Sequence, residues 1–247
     1  MVSSQTMATG GKSIYGARLG ILMLETRFPR IPGDVGNAST WPFPVIYKVV
    51  EGASSQLVVR QKSAGLLDAF KEAAGELVSL GVDGITTTCG FLSLLQDELS
   101  AHVSVTVATS SLMQAPFVQR LLPPGQLVGN ITISAKSLTE DHLEKACVDP
   151  ATPVVGTEHG KEFTRVIVGD ELEMDCLTAE QDILDAGDNL LQKYDNIGAI
   201  VLECTNMGPF AHALATHTSL PVFDITTFIK WFHAGLVPNR YPQFDHP

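Results

Sequence analysis

The sequence has few cysteines and few basic residues, and it has no long apolar run. Four cysteines in 247 residues, at positions 89, 147, 176 and 204, are too few and too scattered for a secreted disulfide framework. Lys and Arg number 16 against 27 Asp and Glu, and the formal net charge of −11 opposes binding to nucleic acids or anionic membranes. No run approaches the roughly 18 apolar residues of a membrane-spanning helix. We therefore expect a cytoplasmic protein that binds neither nucleic acid nor membrane.

The motifs of several enzyme classes are also absent. His-Glu-x-x-His and Gly-x-Ser-x-Gly, the signatures of zinc proteases and serine hydrolases, do not occur. His212 and His217 are five positions apart, so on a helix they would point in different directions. No lysine stands in a pattern that marks a pyridoxal phosphate site. We expect neither a metal nor a cofactor.

Apolar runs rich in Val and Ile alternate with longer amphipathic stretches, and this alternation predicts βαβ units around parallel sheets. The predicted strands are residues 19–24, 45–50, 85–88, 103–109, 127–133, 165–168, 197–202 and 221–225. Helical spacing of apolar residues predicts helices over residues 63–80, 178–194 and 228–236. Thr178 and Gln181 resemble a capping box at the start of the second of these helices.

The segment Leu122-Pro123-Pro124-Gly125 interrupts this pattern, because it can neither continue a helix nor join a central strand. We interpret it as the linker between two pseudo-symmetric, doubly wound α/β lobes. Residues 1–18 are expected to be a mobile tail. The N-terminal lobe is expected to comprise residues 19–122 plus 226–247, and the C-terminal lobe residues 123–225.

Two cysteines occupy matching places in the two halves. Cys89 and Cys204 each end an apolar, strand-like run and begin a helix-like one. The next strand-like run in each half closes on a pair of hydroxyl residues, at 110–111 and at 226–227, at nearly the same distance after the cysteine. Ligands of open α/β sheets bind beyond the carboxyl ends of the strands. The duplication therefore predicts that both thiols face one cleft.

Two facing thiols suit acid/base chemistry at a carbon atom. A thiol at a helix N-terminus lies close to unpaired N–H groups and to the positive end of the dipole, which predicts a pKa lowered from about 8.5 toward neutrality. One thiolate can then remove a proton while the opposite thiol supplies one to the other face. Nearby hydroxyl and amide groups either hold a substrate carboxylate or cap the next helix. These candidates are Thr88, Ser110, Ser111, Thr205 and Asn206.

From about residue 19 onward the chain resembles the aspartate/glutamate racemase superfamily. The motifs closest to those of its members, including the algal dimethylsulfoniopropionate lyases, are Pro32-Gly33-Asp34, Cys89-Gly90-Phe91 and Leu202-Glu203-Cys204-Thr205. The resemblance implies two pseudo-symmetric lobes, catalytic roles for Cys89 and Cys204, and a homo-oligomer, with a dimer expected.

The chain departs from the glutamate racemases at two motifs. Where those enzymes carry Asp-Ser-Gly and Cys-Asn-Thr, this chain has Glu25-Thr26-Arg27 and Cys89-Gly90-Phe91. Phe91 replaces a polar contact with an apolar wall, which disfavours an acidic amino acid as substrate. Arg27 and Arg30 are either carboxylate ligands or solvated loop charges.

The leading hypothesis is a cofactor-independent racemase or epimerase that removes the proton alpha to a carboxylate or carbonyl group. The partner would be a small carboxylate or carbonyl-containing substrate, such as an amino acid or a related acid. A dimethylsulfoniopropionate-type lyase or a related decarboxylase is the alternative on the same fold. A binding protein that has kept the fold without the chemistry is the alternative from another class.

Overall fold

A computed structural model describes residue 7, residues 10–239 and residue 241. It confirms the predicted α/β fold, with two four-stranded parallel sheets and flanking helices. Parts of the expected tail (1–6 and 8–9) and of the expected N-terminal lobe (240 and 242–247) lie outside the described residues. The lobe boundaries stay a prediction. No helix within the described residues is both long and apolar enough to cross a bilayer.

The first sheet contains β1 (Leu19–Leu24), β2 (Val45–Val50), β3 (Gly84–Thr87) and β4 (Thr106–Ala108). Its spatial order is β2-β1-β3-β4, and all neighbours are parallel. The central strands β1 and β3 are almost fully buried, as expected for a sheet with helices on both faces. The accompanying helices are α1 (Ser55–Gln61), α2 (Leu67–Ser79), α3 (Gln96–His102) and α4 (Ala115–Leu121).

The second sheet repeats this topology. It contains β5 (Leu127–Thr132), β6 (Val154–Gly156), β7 (Ile197–Leu202) and β8 (Val222–Phe223) in the parallel order β6-β5-β7-β8. Its helices are α5 (Glu140–Lys145), α6 (Phe163–Gly169), α7 (Cys176–Lys193), α8 (Ala211–Thr218) and the final helix α9 (Ile225–Leu236). Helix α9 packs on the first sheet, where a methyl group at Gly84 would stand 2.7 Å from Leu236.

The strand predicted over residues 165–168 is wrong, because these residues lie in α6. The run Val166-Ile167-Val168 has β-branched side chains throughout, but tertiary contacts override that preference. Asp182 on α7 accepts the N–H groups of Lys161, Glu162 and Phe163 at 2.7–2.8 Å, so the helix N-terminus is satisfied. The true strand, β6, has only three residues, too few to show the alternation of buried and exposed side chains that identifies a strand.

The cap predicted for α7 is also wrong. The carboxylate of Asp175 accepts the N–H of Thr178 at 2.9 Å, so the helix begins at Cys176 rather than at Thr178. Asp is as good an N-cap as Thr, and it stands three residues earlier. The buried face of the helix, which includes Ile183 and Leu190, matches the predicted apolar spacing.

Candidate active site

Both cysteines lie at the point where the strand order reverses within their own sheet. In the first sheet this point lies between β1 and β3, and in the second between β5 and β7. Cys89 and Cys204 each stand two residues after the last residue of β3 and β7. Loops at the carboxyl ends of such strands form the binding crevice of doubly wound sheets. The duplicated topology therefore delivers one thiol from each half.

The two thiols line one cavity. Of the residues predicted from sequence, Thr88, Gly90, Phe91 and Asn206 line it together with Cys89 and Cys204. The remaining lining residues are Leu24, Phe28, Ser55, Val59, Ile133, Ile167 and Glu203. The cavity has a volume of about 20 Å³, which accommodates about one water molecule. The site is closed in this structure, and a substrate can enter only if a lining segment moves.

Direct contacts join the two cysteine loops. The hydroxyl of Thr205 donates to the carbonyl oxygen of Thr88 at 2.7 Å. Gly90 packs against Glu203 so closely that a methyl group at position 90 would overlap both the carboxylate and the backbone carbonyl of Glu203. Thr205 thus supports the site from behind and does not line the cavity.

Three other predicted residues are not brought into the cavity. Ser110 accepts the N–H of Leu112 at 3.2 Å and caps a short 3-10 helix, Ser111–Gln114. Ser111 accepts from the side-chain amide of Gln114 at 2.8 Å. The Arg27 side chain is 76% exposed and lies 3.7 Å from Asp170. For the two serines, the structure shows helix capping and a local side-chain contact rather than contact with the cavity.

Arg30 belongs to a buried chain of polar contacts that ends at Cys204. Its guanidinium donates to Asp34 at 2.8 Å, and the other Asp34 oxygen accepts from the Asn206 amide at 2.6 Å. The Asn206 carbonyl in turn lies 3.5 Å from the Cys204 sulfur, which donates to it. Asp34 is buried, so Arg30 compensates its charge. Arg30 thus holds the loop after β1 against Asn206 and does not line the cavity.

The expectation of a low thiol pKa is wrong. Burial, followed by the charge of Glu203, raises the pKa of the Cys89 thiol to about 12. The N–H of Phe91, the charge of Arg30 and the N–H of Leu92 oppose this rise, so the predicted amide groups are present. They are outweighed because the thiol is removed from water.

Cys204 is in a similar environment, but fewer neighbouring groups favour its ionised form. Burial and the Glu203 charge raise its pKa well above the ordinary value, and only the N–H of Asn206 opposes the rise. The neighbouring Cys89 and Asp34 raise it further. At neutral pH both groups are therefore thiols, and Cys89 has more neighbouring groups that favour its ionised form.

Sequence reasoning missed the role of Glu203. Its side chain is fully buried between the two cysteine loops, and burial raises its pKa to about 7, against a hydrogen bond from Thr132 that lowers it. The Thr132 hydroxyl donates to Oε2 at 2.6 Å, while Oε1 has no hydrogen-bond partner among the described residues. The available signal was a carboxylate placed directly after the wholly buried strand β7. Among the described residues, no group of three or more His, Cys, Asp or Glu could hold a metal ion.

A clasp joins the loop after β1 to the second half of the chain. The N–H groups of Arg27 and Phe28 donate to one oxygen of Asp170 at 2.5 and 3.1 Å, and Phe28 is a wall of the cavity. Asp170 follows α6 in the left-handed conformation. The clasp therefore holds Phe28 over the cysteines.

We expect Asp170→Ala to expose the cysteines. Loss of these bonds should favour the open form by about 1.5 kcal/mol or more, so that iodoacetamide alkylates Cys89 roughly tenfold faster. Site-resolved mass spectrometry measures the rate. Asp188→Ala, which removes an exposed carboxylate paired with His217, is the control. Equal rates in the two variants would show that the clasp does not close the cavity.

Comparison with known proteins places the chain in a family. No protein-family model matches it. It is 30% identical over 240 residues to a dimethylsulfoniopropionate lyase of Durusdinium sp. clade D, and the match covers 94% of this chain and 78% of that protein.

Solved structures show the same fold at low identity. Unliganded arylmalonate decarboxylase superposes with a TM-score of 0.56 at 12% identity, covering 91% of this chain and 94% of the other. Picrophilus torridus aspartate racemase gives 0.54 at 14% identity, with 90% and 93% covered. The chain therefore belongs to the family of the dimethylsulfoniopropionate lyases, and it shares its fold with arylmalonate decarboxylase and aspartate racemase.

Proposed function

We propose that the chain is a cofactor-independent lyase that removes a proton alpha to a carboxylate and expels a leaving group from the neighbouring carbon. Dimethylsulfoniopropionate is the first substrate to test. The observation that carries the proposal is the single cavity lined by Cys89 and Cys204, in a chain that is 30% identical to a dimethylsulfoniopropionate lyase over 94% of its length.

The proposed reaction needs one base and no redox partner. The Cys89 sulfur acts as a thiolate, takes the proton from the carbon next to the carboxylate and becomes a thiol. The electron pair of the broken C–H bond forms a carbon–carbon double bond as the carbon–sulfur bond breaks. Dimethyl sulfide leaves with the electrons of the carbon–sulfur bond, acrylate remains, and the enzyme releases the proton to water. Atoms and charge balance, because the sulfonium charge is lost as a proton.

The surroundings of the cavity support this choice. Elimination turns a zwitterion into a neutral sulfide and a carboxylate, and a buried, mostly apolar site favours the loss of charge separation. Phe28 and Phe91 provide apolar walls for methyl groups. The Glu203 carboxylate, also in the wall, supplies a negative charge that suits a cationic sulfonium.

Racemisation or epimerisation is the second candidate, favoured by the equivalence of the two thiols. Cys89 and Cys204 follow corresponding strands, β3 and β7, and are almost equally buried, 9% and 7% exposed. A thiol on each side of a carbon atom can remove a proton from one face and return one to the other. Such a reaction would use both cysteines equally.

Incubations in D₂O with different substrates, together with a binding assay, separate these functions. Headspace release of dimethyl sulfide from dimethylsulfoniopropionate supports the lyase. Deuterium entering the alpha carbon of an amino acid or hydantoin, without cleavage, supports the isomerase. Ligand binding detected by thermal shift, with neither release nor exchange, indicates a binding protein and contradicts the proposal. The Cys89→Ser/Cys204→Ser double variant is the blank for each assay.

A further inference from the structure

The site holds a buried carboxylate that takes no part in the proton transfer as described so far. Glu203 has a relative exposure of zero, lines the cavity, and precedes Cys204 in the chain. A buried carboxylate is costly unless it is paired or protonated. Here one oxygen accepts from Thr132, but no cation is within salt-bridge distance of Glu203 among the described residues. This arrangement needs a reason beyond packing.

The unpaired oxygen of Glu203 points toward the loop of the other cysteine. Oε1 lies directly over Gly90, the residue after Cys89, and the absence of a side chain at Gly90 permits this approach. The charge of Glu203 is the second-largest influence on each thiol, after burial. The carboxylate therefore lies in the wall of the cavity that both cysteines line, with one free acceptor atom beside the residue that follows Cys89.

Few ionisable groups lie near Glu203, and the charged ones already form an ion pair with each other. The thiols are the titratable groups that face Glu203 from the ends of β3 and β7, and Thr132 faces it from β5. Arg30 and Asp34, from the loop after β1, are paired with each other. Glu203 is thus the one carboxylate in the cavity wall.

We infer that Glu203 accepts the thiol proton of Cys89 in the same step in which Cys89 takes the proton from the substrate. The S–H bond of the thiol breaks as an O–H bond forms on Oε1, and a new S–H bond forms with the hydrogen from the alpha carbon. The negative charge passes from Glu203 through sulfur to the substrate, and no oxidant or reductant is needed. Glu203 acts through Cys89 and returns its proton to water.

This inference resolves a difficulty in the proposed function, on which it rests. A thiol with a pKa of about 12 is almost never ionised at neutral pH, so it is a poor base by itself. Glu203, whose pKa burial raises to about 7, is half ionised there. A base poised near the working pH gives the best compromise between ionised fraction and proton affinity.

Thermal stability tests the ionisation of Glu203 without any substrate. Ionisation of Glu203 in the folded chain occurs near pH 7 rather than near 4.5, so folding loses stability as the pH rises through this window. Glu203→Gln removes the penalty, and its Tm should exceed that of the wild type by more at about pH 8 than at about pH 5. A difference in Tm that does not change with pH would overturn the inference whatever the substrate proves to be.

The pH profile of turnover tests the proton transfer itself. In the wild type, turnover should rise with an apparent pKa near 7. In Glu203→Gln that limb should vanish and turnover at about pH 8 should fall at least about a hundredfold, the usual scale of general-base catalysis. Glu203→Asp should keep the limb, because it keeps a carboxylate. Glu144→Gln, the same change at an exposed site, is the control.

The direction in which Glu203→Gln changes turnover distinguishes proton transfer by Glu203 from other roles of this residue. If Glu203 only raised the thiol pKa, Glu203→Gln would form thiolate more readily and would be faster than the wild type at about pH 8. If Glu203 were only structural, the variant would be slower but would keep the limb near pH 7. Either result overturns the inference. Absence of turnover in the wild type, with a pH-dependent gain in Tm for Glu203→Gln, would remove the proposed reaction while leaving Glu203 as the ionising group.

Discussion

Cys89→Ser is expected to lose at least about a thousandfold in turnover, within the range for removal of a general base. Cys89 is the better placed of the two sulfurs to take the proton. The charge of Glu203 acts against ionisation of both thiols. The N–H groups of Phe91 and Leu92 and the charge of Arg30 favour ionised Cys89, whereas only the N–H of Asn206 favours ionised Cys204. A serine hydroxyl in the same place is a far weaker acid and cannot replace the thiol.

Cys204→Ser is expected to lose less, about tenfold to a hundredfold, because a lyase needs one base while the second thiol shapes the cavity. Initial rates of dimethyl sulfide release measure both variants. A buried hydroxyl costs about 1–3 kcal/mol, so Tm should fall by a similar amount in both variants, and circular dichroism should show both folded at the assay temperature. Equal and complete losses of dimethyl sulfide release in the two variants would contradict an elimination with one base and would show that both thiols act in it. Full activity in both would rule out the cysteine mechanism.

Gly90→Ala has the second-largest expected effect. The added methyl group would overlap the carboxylate and the backbone carbonyl of Glu203, so the two cysteine loops must separate. We expect a loss of about 1–3 kcal/mol in the free energy of unfolding, as for overpacking in a core. We also expect turnover to fall at least about a hundredfold, because a displacement of about 1 Å is enough for such a loss.

Gly75→Ala is the matched control for this variant. Gly75 lies inside α2, and a methyl group there would meet no atom within 4 Å. Alanine in a helix is more favourable than glycine by about 0.5–1 kcal/mol, so this variant should be slightly more stable and fully active. Urea denaturation and turnover measure both variants. A stable, active Gly90→Ala would show that the loops are not held as tightly as the structure indicates.

The sequence predicts the fold class and most of the strands of this protein well, because buried strands require apolar residues and so can be read from the sequence. Strands β1, β2 and β7 begin and end at the predicted residues. β1 and β7 are apolar, buried runs at central positions of their sheets, and the edge strand β2 is rich in Val and Ile. The failure at 165–168 has an equally local cause, because a short run of β-branched residues suits a strand or a buried helix. Only the contacts of Asp182 decide in favour of the helix.

The candidate site is predictable only in part. Cys89 and Cys204 could be paired from the duplicated pattern, but their pKa values could not, because these depend on burial and on a third group from a neighbouring loop. Glu203 appeared in the sequence only as part of a motif. Its proximity to Gly90 arises from the way the two halves pack. The two interpretations of Arg27, a carboxylate ligand or a solvated loop charge, could not be separated, because Asp170, which accepts its backbone N–H, is 143 residues away in the chain.

The central claim is that the cysteine pair removes hydrogen from the carbon next to the carboxylate. The most direct test uses dimethylsulfoniopropionate with both hydrogens of that carbon replaced by deuterium, and it follows deuterium in the water and in the acrylate. The account predicts one deuterium released to water for each dimethyl sulfide formed, and no release with Cys89→Ser/Cys204→Ser. Formation of dimethyl sulfide with both deuterium atoms retained in the product, or undiminished release by the double variant, would contradict it.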